Sequence, residues 1–255
     1  MIKIKTEKEI EIMREGGKIL ADILKKLSDA VRPGITTNEL EELAQELVSY
    51  YGVKASFLGY DGYPAVLCTS INEEIVHGVP SDRALKDGDV LKLDMGVLHK
   101  GFHTDSAVTV LVGKGDDQKI KLINVTKEAL RIGISKAKVG NTLGDVGSAI
   151  QEYVEGKGFG VVRDLVGHGI GRELHEPPQV PNYIQSGDIN KLARHELVEL
   201  VEGMIIAIEP MVVTGDWKIK KSKDGFGFIT KDGGLAAHFE HAVAIMEKGS
   251  VILTK

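Results

Sequence analysis

The stretch LVGHGIGRELHEPPQV, residues 165–180, holds residue types that can do chemistry: two histidines, His168 and His175, among closely spaced glycines. Glycine loses much conformational freedom on folding, so it is favoured where the backbone must approach another group closely. The glycines on both sides of His168 therefore indicate a backbone that enters a crowded centre and aims the imidazole into it. Considered alone, the stretch fits a turn residue at His168 as well as a ligand.

Acidic residues stand beside apolar runs in both halves of the chain. Asp94 ends the run VLKLD and Glu209 ends IIAIE. Asp105 precedes SAVTVLV and Glu240 precedes HAVAI. A single acid beside a strand commonly faces water, but carboxylates that converge at low dielectric repel one another unless protons or cations neutralise them. We predict a divalent-cation site with His168 as a neutral ligand, a donor set that suits manganese, iron or cobalt better than structural zinc.

The two halves of the sequence match each other in order. The segment GITTNELEELAQELVSYYG, which opens at Gly34, is matched by GNTLGDVGSAIQEYVEGKG, which opens at Gly140. DGDVLKLDMGV likewise resembles VEGMIIAIEPMVV, and HTDSAVTVLVG resembles HFEHAVAIMEKG. Chance recurrence of helix–glycine–strand patterns is the alternative, but the shared order favours a duplicated α/β unit. The halves would span roughly residues 1–115 and 116–255, with their equivalent strands meeting at the centre.

Capping and hydrophobic spacing predict the elements that position these residues. Thr6 and Glu9 form a capping box ahead of apolar residues at helical spacing. Further helices are predicted from Thr36 to Gly52, from Asp117 to Lys138 and from Thr142 to Glu155. Strands are predicted over residues 65–71, 90–95, 107–112, 204–208 and 241–246. We expect one α/β (α+β) domain that spans residues 1–255.

Composition excludes several classes of function. Of the 255 residues, 42% are hydrophobic and 27% are charged, and the net charge of -5 provides no basic field for nucleic acid. The lone cysteine, Cys68, excludes a disulfide within the chain and favours a reducing compartment. The N-terminal segment is too charged for a secretory signal, and no apolar run is long enough to span a bilayer. We expect a cytoplasmic monomer that binds neither membranes nor specific nucleic-acid sequences.

Several motifs, taken together, resemble a known enzyme family. GYDGYPAVLCTSINEEIVHGVP, LDMGVLHKGFHTDSA, GHGIGRELHEPPQVP, AIEPMV and HFEHAVAI are similar to segments of the methionine aminopeptidases, and most similar to the short bacterial type I form. The resemblance runs in order from end to end, so it is highly specific. It implies a pita-bread fold of two pseudo-symmetric halves, with a central antiparallel sheet, helices outside and a dinuclear metal site.

The resemblance also implies how two divalent metal ions would be held. Asp94 would chelate one metal, and Asp105 and Glu240 would bridge both. His168 and Glu209 would complete the second metal. The ions would be cobalt, manganese or iron, with zinc as a further candidate.

The same resemblance implies a substrate and a reaction. The enzyme would remove the N-terminal methionine of nascent polypeptides by hydrolysing the first peptide bond, near the ribosome, and would favour a small second residue. His77, His175 and Glu209 would be catalytic, with both histidines facing the substrate and Glu209 passing on a proton. The substrate would contact Phe57, Tyr60, Tyr63, Cys68, His77, Leu174, His175 and Trp217.

Simpler interpretations of these residues stay open. His77 and His175 also fit ordinary loop histidines, and the aromatic residues fit core or surface positions. A thiol nucleophile at Cys68 is disfavoured, because its neighbours predict a buried strand without electropositive activation. Leu174 and Phe57 depart from the family pattern, which commonly has an aromatic and a smaller residue respectively. The polar segment 182–197 looks longer than in bacterial members and is predicted to be a surface loop.

Two rival functions follow from the same fold. An Xaa-Pro peptidase of the aminopeptidase P or prolidase type shares the fold and metals, but it usually carries an additional N-terminal domain and more histidines around the site. A non-catalytic pita-bread module that binds nucleic acid or ribosomes would be expected to lose ligands and gain basic surface. All five ligand positions are filled here and the net charge is negative, so the peptidase interpretation is preferred.

Overall fold

Helices begin where the sequence supplies side-chain caps. The computed structural model describes residues 2–186, 189, 192–193 and 195–255. Thr6, Thr36 and Thr142 each form a capping box at a helix start, which confirms the predicted starts. The helices are α1 (Glu7–Ala30), α2 (Thr37–Tyr51), α3 (Asp117–Lys136) and α4 (Leu143–Gly156).

Strands make up the centre of the molecule. In chain order they are β1 (Lys54–Ala55), β2 (Cys68–Ile71), β3 (Glu74–Val76), β4 (Val90–His99), β5 (Phe102–Leu111), β6 (Gly160–Val161), β7 (Gly167–Gly169), β8 (Glu176–Val180), β9 (Ile205–Ile208), β10 (Met211–Val213), β11 (Ile219–Lys221), β12 (Phe228–Thr230), β13 (Ala236–His238), β14 (Glu240–Met246) and β15 (Gly249–Ile252). The largest sheet follows the order β1-β4-β5-β14-β9-β7-β8, with β2 also on β4 and β15 also on β14. Smaller sheets join β13-β10-β6 and β11-β12-β3.

The two halves of the chain meet where β5 pairs antiparallel with β14. These are the strands that the internal repeat predicts to be equivalent, and their neighbours β4 and β9 are equivalent as well. Helices cover each half from outside: Leu27 of α1 and Leu93 of β4 belong to one hydrophobic core, and Ile150 of α4 and Ile208 of β9 belong to a second. The mixed α/β class and the central antiparallel sheet are confirmed.

Strand bounds differ from the prediction by more than one residue in two places. β4 and β5 run through Asp94 and Asp105, because a tight turn with positive φ at Lys100 and Gly101 joins them and keeps the ladder intact. The strand predicted over residues 65–71 begins only at Cys68. Residues 66 and 67 instead donate their backbone N–H groups to the buried Glu41 carboxylate at 3.0 and 2.9 Å.

The segment 182–197 is not simply a surface loop. Asn182, Ile184 and Glu196 are buried, and the Ile184 N–H donates to Gln151 of α4 at 3.0 Å. Residues 187–188, 190–191 and 194 of this segment lie outside the described residues. Across the described part of the chain, no helix is long and apolar enough to cross a membrane.

Candidate active site

The antiparallel register brings the acidic residues of both halves onto one face of the sheet. Asp94 pairs with Ala107, and Ala107 also pairs with Glu240, so these positions form a row across β4, β5 and β14. Asp105 lies two residues before Ala107 and points to the same side, because side chains alternate along a strand. Strand pairing therefore places these three carboxylates beside one another.

Glu209 joins them from the second half. Ile208 at the end of β9 pairs with His241 of β14, so the register continues from Glu240 to Glu209 just beyond the ladder. We call Asp94, Asp105, Glu209 and Glu240 the carboxylate row. The structure brings its members together as the repeat predicts.

Burial makes this row electrostatically unfavourable without counter-charge. Burial raises the pKa of every carboxyl in the row, and repulsion from neighbouring carboxylates raises the pKa values of Asp94, Glu209 and Glu240 further. One oxygen each of Asp94, Asp105 and Glu240 is buried without a hydrogen-bond partner. Buried charged oxygens that lack donors need cations, so the residues present fit divalent metal ions.

His168 completes a ligand set with the row. Gly169 of β7 pairs with Ile206, which places His168 on the same face as Glu209. The His168 Nδ1–H donates to the Gly169 carbonyl at 2.9 Å, and Nε2 lies 3.6 Å from Glu209 Oε1. Burial lowers the pKa of His168 to about 3, so the ring is in the neutral form that metals bind. Ligand atoms of Asp105, His168 and Glu240 lie within 4.8 Å of one another.

The glycines around His168 are needed for close approach. A Cβ at Gly167 would lie 2.3 Å from the Ala207 carbonyl oxygen, and one at Gly169 would lie 2.3 Å from the Pro177 carbonyl oxygen. Real Cβ atoms do not approach backbone that closely, so no side chain fits at either position. The interpretation of GHGIG as backbone entering a crowded centre agrees with this geometry.

A cavity of about 540 Å³ opens beside the carboxylate row. The side chains that line it include most of the residues predicted to contact substrate: Phe57, Tyr60, Tyr63, Cys68, His77, Leu174 and His175. Trp217 is not among the lining residues; its ring lies over the guanidinium of Arg163, 5.2 Å from Cζ. Phe226, which the sequence analysis missed, lines the cavity and packs edge-on against Tyr63 at 5.5 Å between ring centroids.

Both predicted substrate-facing histidines lie in the cavity wall. His175 Nδ1 is 2.8 Å from the Tyr60 hydroxyl, and its ring meets that of His168 edge-on at 4.3 Å between centroids. His77 adopts a φ of 60° and packs against Phe228. Burial lowers the pKa of His175, and it lowers that of His77 to about 4, so both rings are neutral. Neutral imidazoles can each donate one hydrogen bond and accept another.

Glu176 and Cys68 have structural roles in the cavity wall. The buried Glu176 carboxylate accepts hydrogen bonds from Lys5 Nζ at 2.6 Å and from the Arg172 N–H at 2.9 Å, which fixes the segment that carries His175. Burial raises the pKa of the Cys68 thiol, so the thiol stays protonated and is a poor nucleophile. In the sequence, the only sign that Glu176 fixes this segment is its position as a charged residue between His175 and two prolines.

His238 is a further histidine at the site that sequence reasoning missed. It is 1% exposed, and its Nε2 lies 3.7 Å from Glu209 Oε2. Ligand atoms of Glu209, His238 and Glu240 lie within 4.8 Å of one another. The available signal was its position in HFEHAVAI, two residues before Glu240 and matched to His103 of the other half.

Comparison with known proteins identifies the family. The model of metallopeptidase family M24 matches residues 11–247. The chain belongs to metallopeptidase family M24. Membership of a metallopeptidase family agrees with the carboxylate row, and it makes divalent metal ions part of this site.

Within family M24, the chain is similar to different members to different degrees. A methionine aminopeptidase of Clostridium acetobutylicum is 48% identical and matches 100% of this chain and 99% of its own length. The crystal structure of a methionine aminopeptidase from Thermotoga maritima superposes with a TM-score of 0.94 at 45% identity, and the match covers 100% of both chains. A prolidase from Pyrococcus horikoshii has a TM-score of 0.78 at 24% identity; the match covers 99% of this chain but 63% of the prolidase. The prolidase likeness shows the shared fold alone.

Proposed function

We propose that this chain is a metal-dependent methionine aminopeptidase, which hydrolyses the first peptide bond of polypeptides that begin with methionine and favours a small second residue. The observation that carries the proposal is the apolar cavity that opens directly onto the carboxylate row. The full-length similarity to methionine aminopeptidases supports the choice of substrate.

The carboxylate row and His168 would hold two divalent ions, which we propose to be cobalt, manganese or iron. Asp94 would bind one ion, His168 and Glu209 the other, and Asp105 and Glu240 both. Cations bound there supply an activated water molecule and polarise the peptide carbonyl. Oxygen-rich ligation with a single imidazole supports these metals over a thiolate- or histidine-rich zinc site.

The cavity wall selects the side chain at the substrate's N-terminus. Methionine is flexible and its polarisable sulfur packs well against ring edges. We assign its pocket to the lining residues Phe57, Tyr60, Tyr63, Cys68, Leu174 and Phe226, with Phe226 in the place given to Trp217 from the sequence.

The neutral histidines would bind the peptide group. The Tyr60 hydroxyl lies 2.8 Å from His175 Nδ1. Donation from this hydroxyl would leave the ring proton on Nε2, free to donate to the oxygen that gains negative charge during attack. His77, which lines the same cavity, would also contact the substrate. Glu209, whose pKa burial raises, would accept and pass on a proton.

We further propose that the chain acts as a single-domain monomer of residues 1–255 on nascent polypeptides in the cytoplasm, close to the ribosome. The single family match over residues 11–247 supports one domain. The lone, buried cysteine supports a reducing compartment.

Peptide hydrolysis tests the proposal. After chelation, the enzyme should be inactive, and added Mn(II), Fe(II) or Co(II) should restore cleavage of Met-Ala-Ser. Leu-Ala-Ser and Met-Lys-Ser should be poor substrates, since the first lacks the thioether and the second has a large second residue. Preference for an Xaa-Pro peptide would instead support the prolidase alternative, and full activity of a metal-free preparation would overturn the mechanism.

A further inference from the structure

The Glu209 carboxylate lies between two imidazoles. Its Oε1 is 3.6 Å from His168 Nε2, and its Oε2 is 3.7 Å from His238 Nε2. His168 is oriented by its own hydrogen bond to a carbonyl group. Neither ring nitrogen of the buried His238 has a hydrogen-bond partner. A buried donor without an acceptor is costly, so Glu209 Oε2, an acceptor 3.7 Å away, is a natural partner for the His238 N–H.

The backbone fixes where the His238 ring can lie. Its N–H donates to Thr109 Oγ1 at 2.9 Å, and the Thr109 hydroxyl donates to the His238 carbonyl at 2.6 Å. On the other side, His238 pairs with Met211 of β10, two residues after Glu209. The ring is therefore held beside the short connection between β9 and β10 that carries Glu209.

His238 differs from His168 in its relation to the cavity. His168 lines the cavity, whereas His238 is not among the lining residues. The Glu209 carboxylate lies between the two rings, with Oε1 toward His168 and Oε2 toward His238. The contact distance of 3.7 Å exceeds a hydrogen bond by less than 1 Å, so a small movement of the carboxylate closes it.

We propose that His238 is a positioning residue for Glu209: its Nε2–H donates to Oε2 and thereby turns Oε1 toward His168 and the metal. The inference rests on the proposed role of Glu209 as a metal ligand. Partners of this kind orient a metal-binding carboxylate, and their loss typically costs about 10–100-fold in metal affinity or activity.

Metal binding to paired variants tests the proposal. His238→Gln keeps an amide donor, whereas His238→Met has similar bulk and no donor. His241→Gln is the matched control, since His241 is the neighbour of Glu240 on β14 but bonds to Thr254 at 2.9 Å. The readout is the dissociation constant of Co(II) for chelated protein, from calorimetry and visible absorption. We expect about 10–100-fold weaker binding in His238→Met, recovery of most of the affinity in His238→Gln, and no change in His241→Gln.

Electron spin-echo spectroscopy of the Mn(II)-loaded protein provides a second test. One coordinated imidazole, unchanged in His238→Gln, supports positioning through Glu209. Two coordinated imidazoles would overturn the proposal in favour of direct ligation by His238. Wild-type Co(II) affinity in His238→Met, or equal weakening in both His238 variants, would also overturn it. These readouts do not require peptide cleavage, so they stand even if the proposed substrate is wrong.

Discussion

The carboxylate row and the cavity wall meet at one place but are built from different parts of the fold. Members of the row lie on β4, β5 and β14 and at the end of β9, which are neighbouring strands of one ladder. Much of the wall comes from connecting segments, among them the short 3-10 turn at Tyr60–Gly62, residues 170–175 between β7 and β8, and the connection between β11 and β12 that holds Phe226. Hydrogen-bonded strands fix the row, whereas side-chain contacts between segments fix the wall.

Because of this difference, substitutions in the row and in the wall should have different effects on the enzyme. Each carboxylate in the row is buried beside the others, so removing one changes charge, metal binding and the remaining pKa values together. Wall residues contact the substrate individually, so we expect their loss to have graded effects. The predictions below test that contrast, from the largest effect to the smallest.

Glu240→Gln should abolish peptide cleavage. We propose that Glu240 binds both ions, so losing its charge should affect both. We expect a loss larger than the roughly 10³-fold upper range for removing one oxyanion donor, together with reduced metal content by mass spectrometry. Glu46→Gln on the exposed face of α2 is the control. Near-normal turnover in Glu240→Gln would show that the row tolerates graded loss.

His175→Ala and His168→Ala should fail in different ways. His175→Ala should lower kcat about 10²-fold, because it removes a donor that acts mainly in the transition state, while metal content stays unchanged. His168→Ala should be poor in metal. Metal analysis and steady-state kinetics on both variants measure this. A metal-poor His175→Ala enzyme would contradict the proposal that His168 binds metal and that His175 contacts only the substrate.

Phe226→Ala should weaken selection for methionine, and Trp217→Ala should not. Phe226 lines the cavity, whereas the Trp217 ring lies over Arg163 outside it. Phe226 is partly buried in the free protein, and loss of the apolar contact it would make with a bound methionine side chain is worth at most about 1.5–3 kcal/mol, or about 10–150-fold in kcat/KM for Met-Ala-Ser. Kinetics on both variants would settle the pocket. A larger effect of Trp217→Ala would restore the assignment made from the sequence.

The smallest expected effect concerns the metal-free protein. Burial raises the pKa of Glu240, so its folded state holds a proton that the unfolded chain releases above its ordinary pKa. Stability from that protonated form is present below the unfolded pKa and is lost as pH rises. Chelated Glu240→Gln has no carboxyl group at this position, so it does not lose stability in this way. Its Tm should therefore rise relative to that of chelated wild type between pH 5 and pH 8, by about 2–4 °C for each kcal/mol of stability that the wild type loses. A Tm difference that does not change with pH would contradict the raised pKa of Glu240.

The same contrast explains what the sequence could predict. The carboxylate row was predictable because strand pairing follows hydrophobic patterning, and because the internal repeat aligned Asp94 with Glu209 and Asp105 with Glu240. The helix starts were predictable from local capping residues. The cavity wall depends on contacts between distant segments, so Phe226 was missed and Trp217 was included. His238 was missed because its signal, a position two residues before Glu240 and a match to His103 in the repeat, does not show that its ring lies beside Glu209.

The hairpin of β4 and β5 has a consequence for the order of folding. A tight turn joins these strands, so Asp94 and Asp105 come together through local contacts, which form quickly. Glu209 and Glu240 arrive from the other end of the chain and must wait for the halves to dock. We expect this docking to follow the main folding barrier, so that a cation meets its full ligand set only in the folded protein. We expect saturating Mn(II) to slow unfolding while leaving the refolding rate unchanged. The metal would then prolong the lifetime of the folded protein without helping it to form.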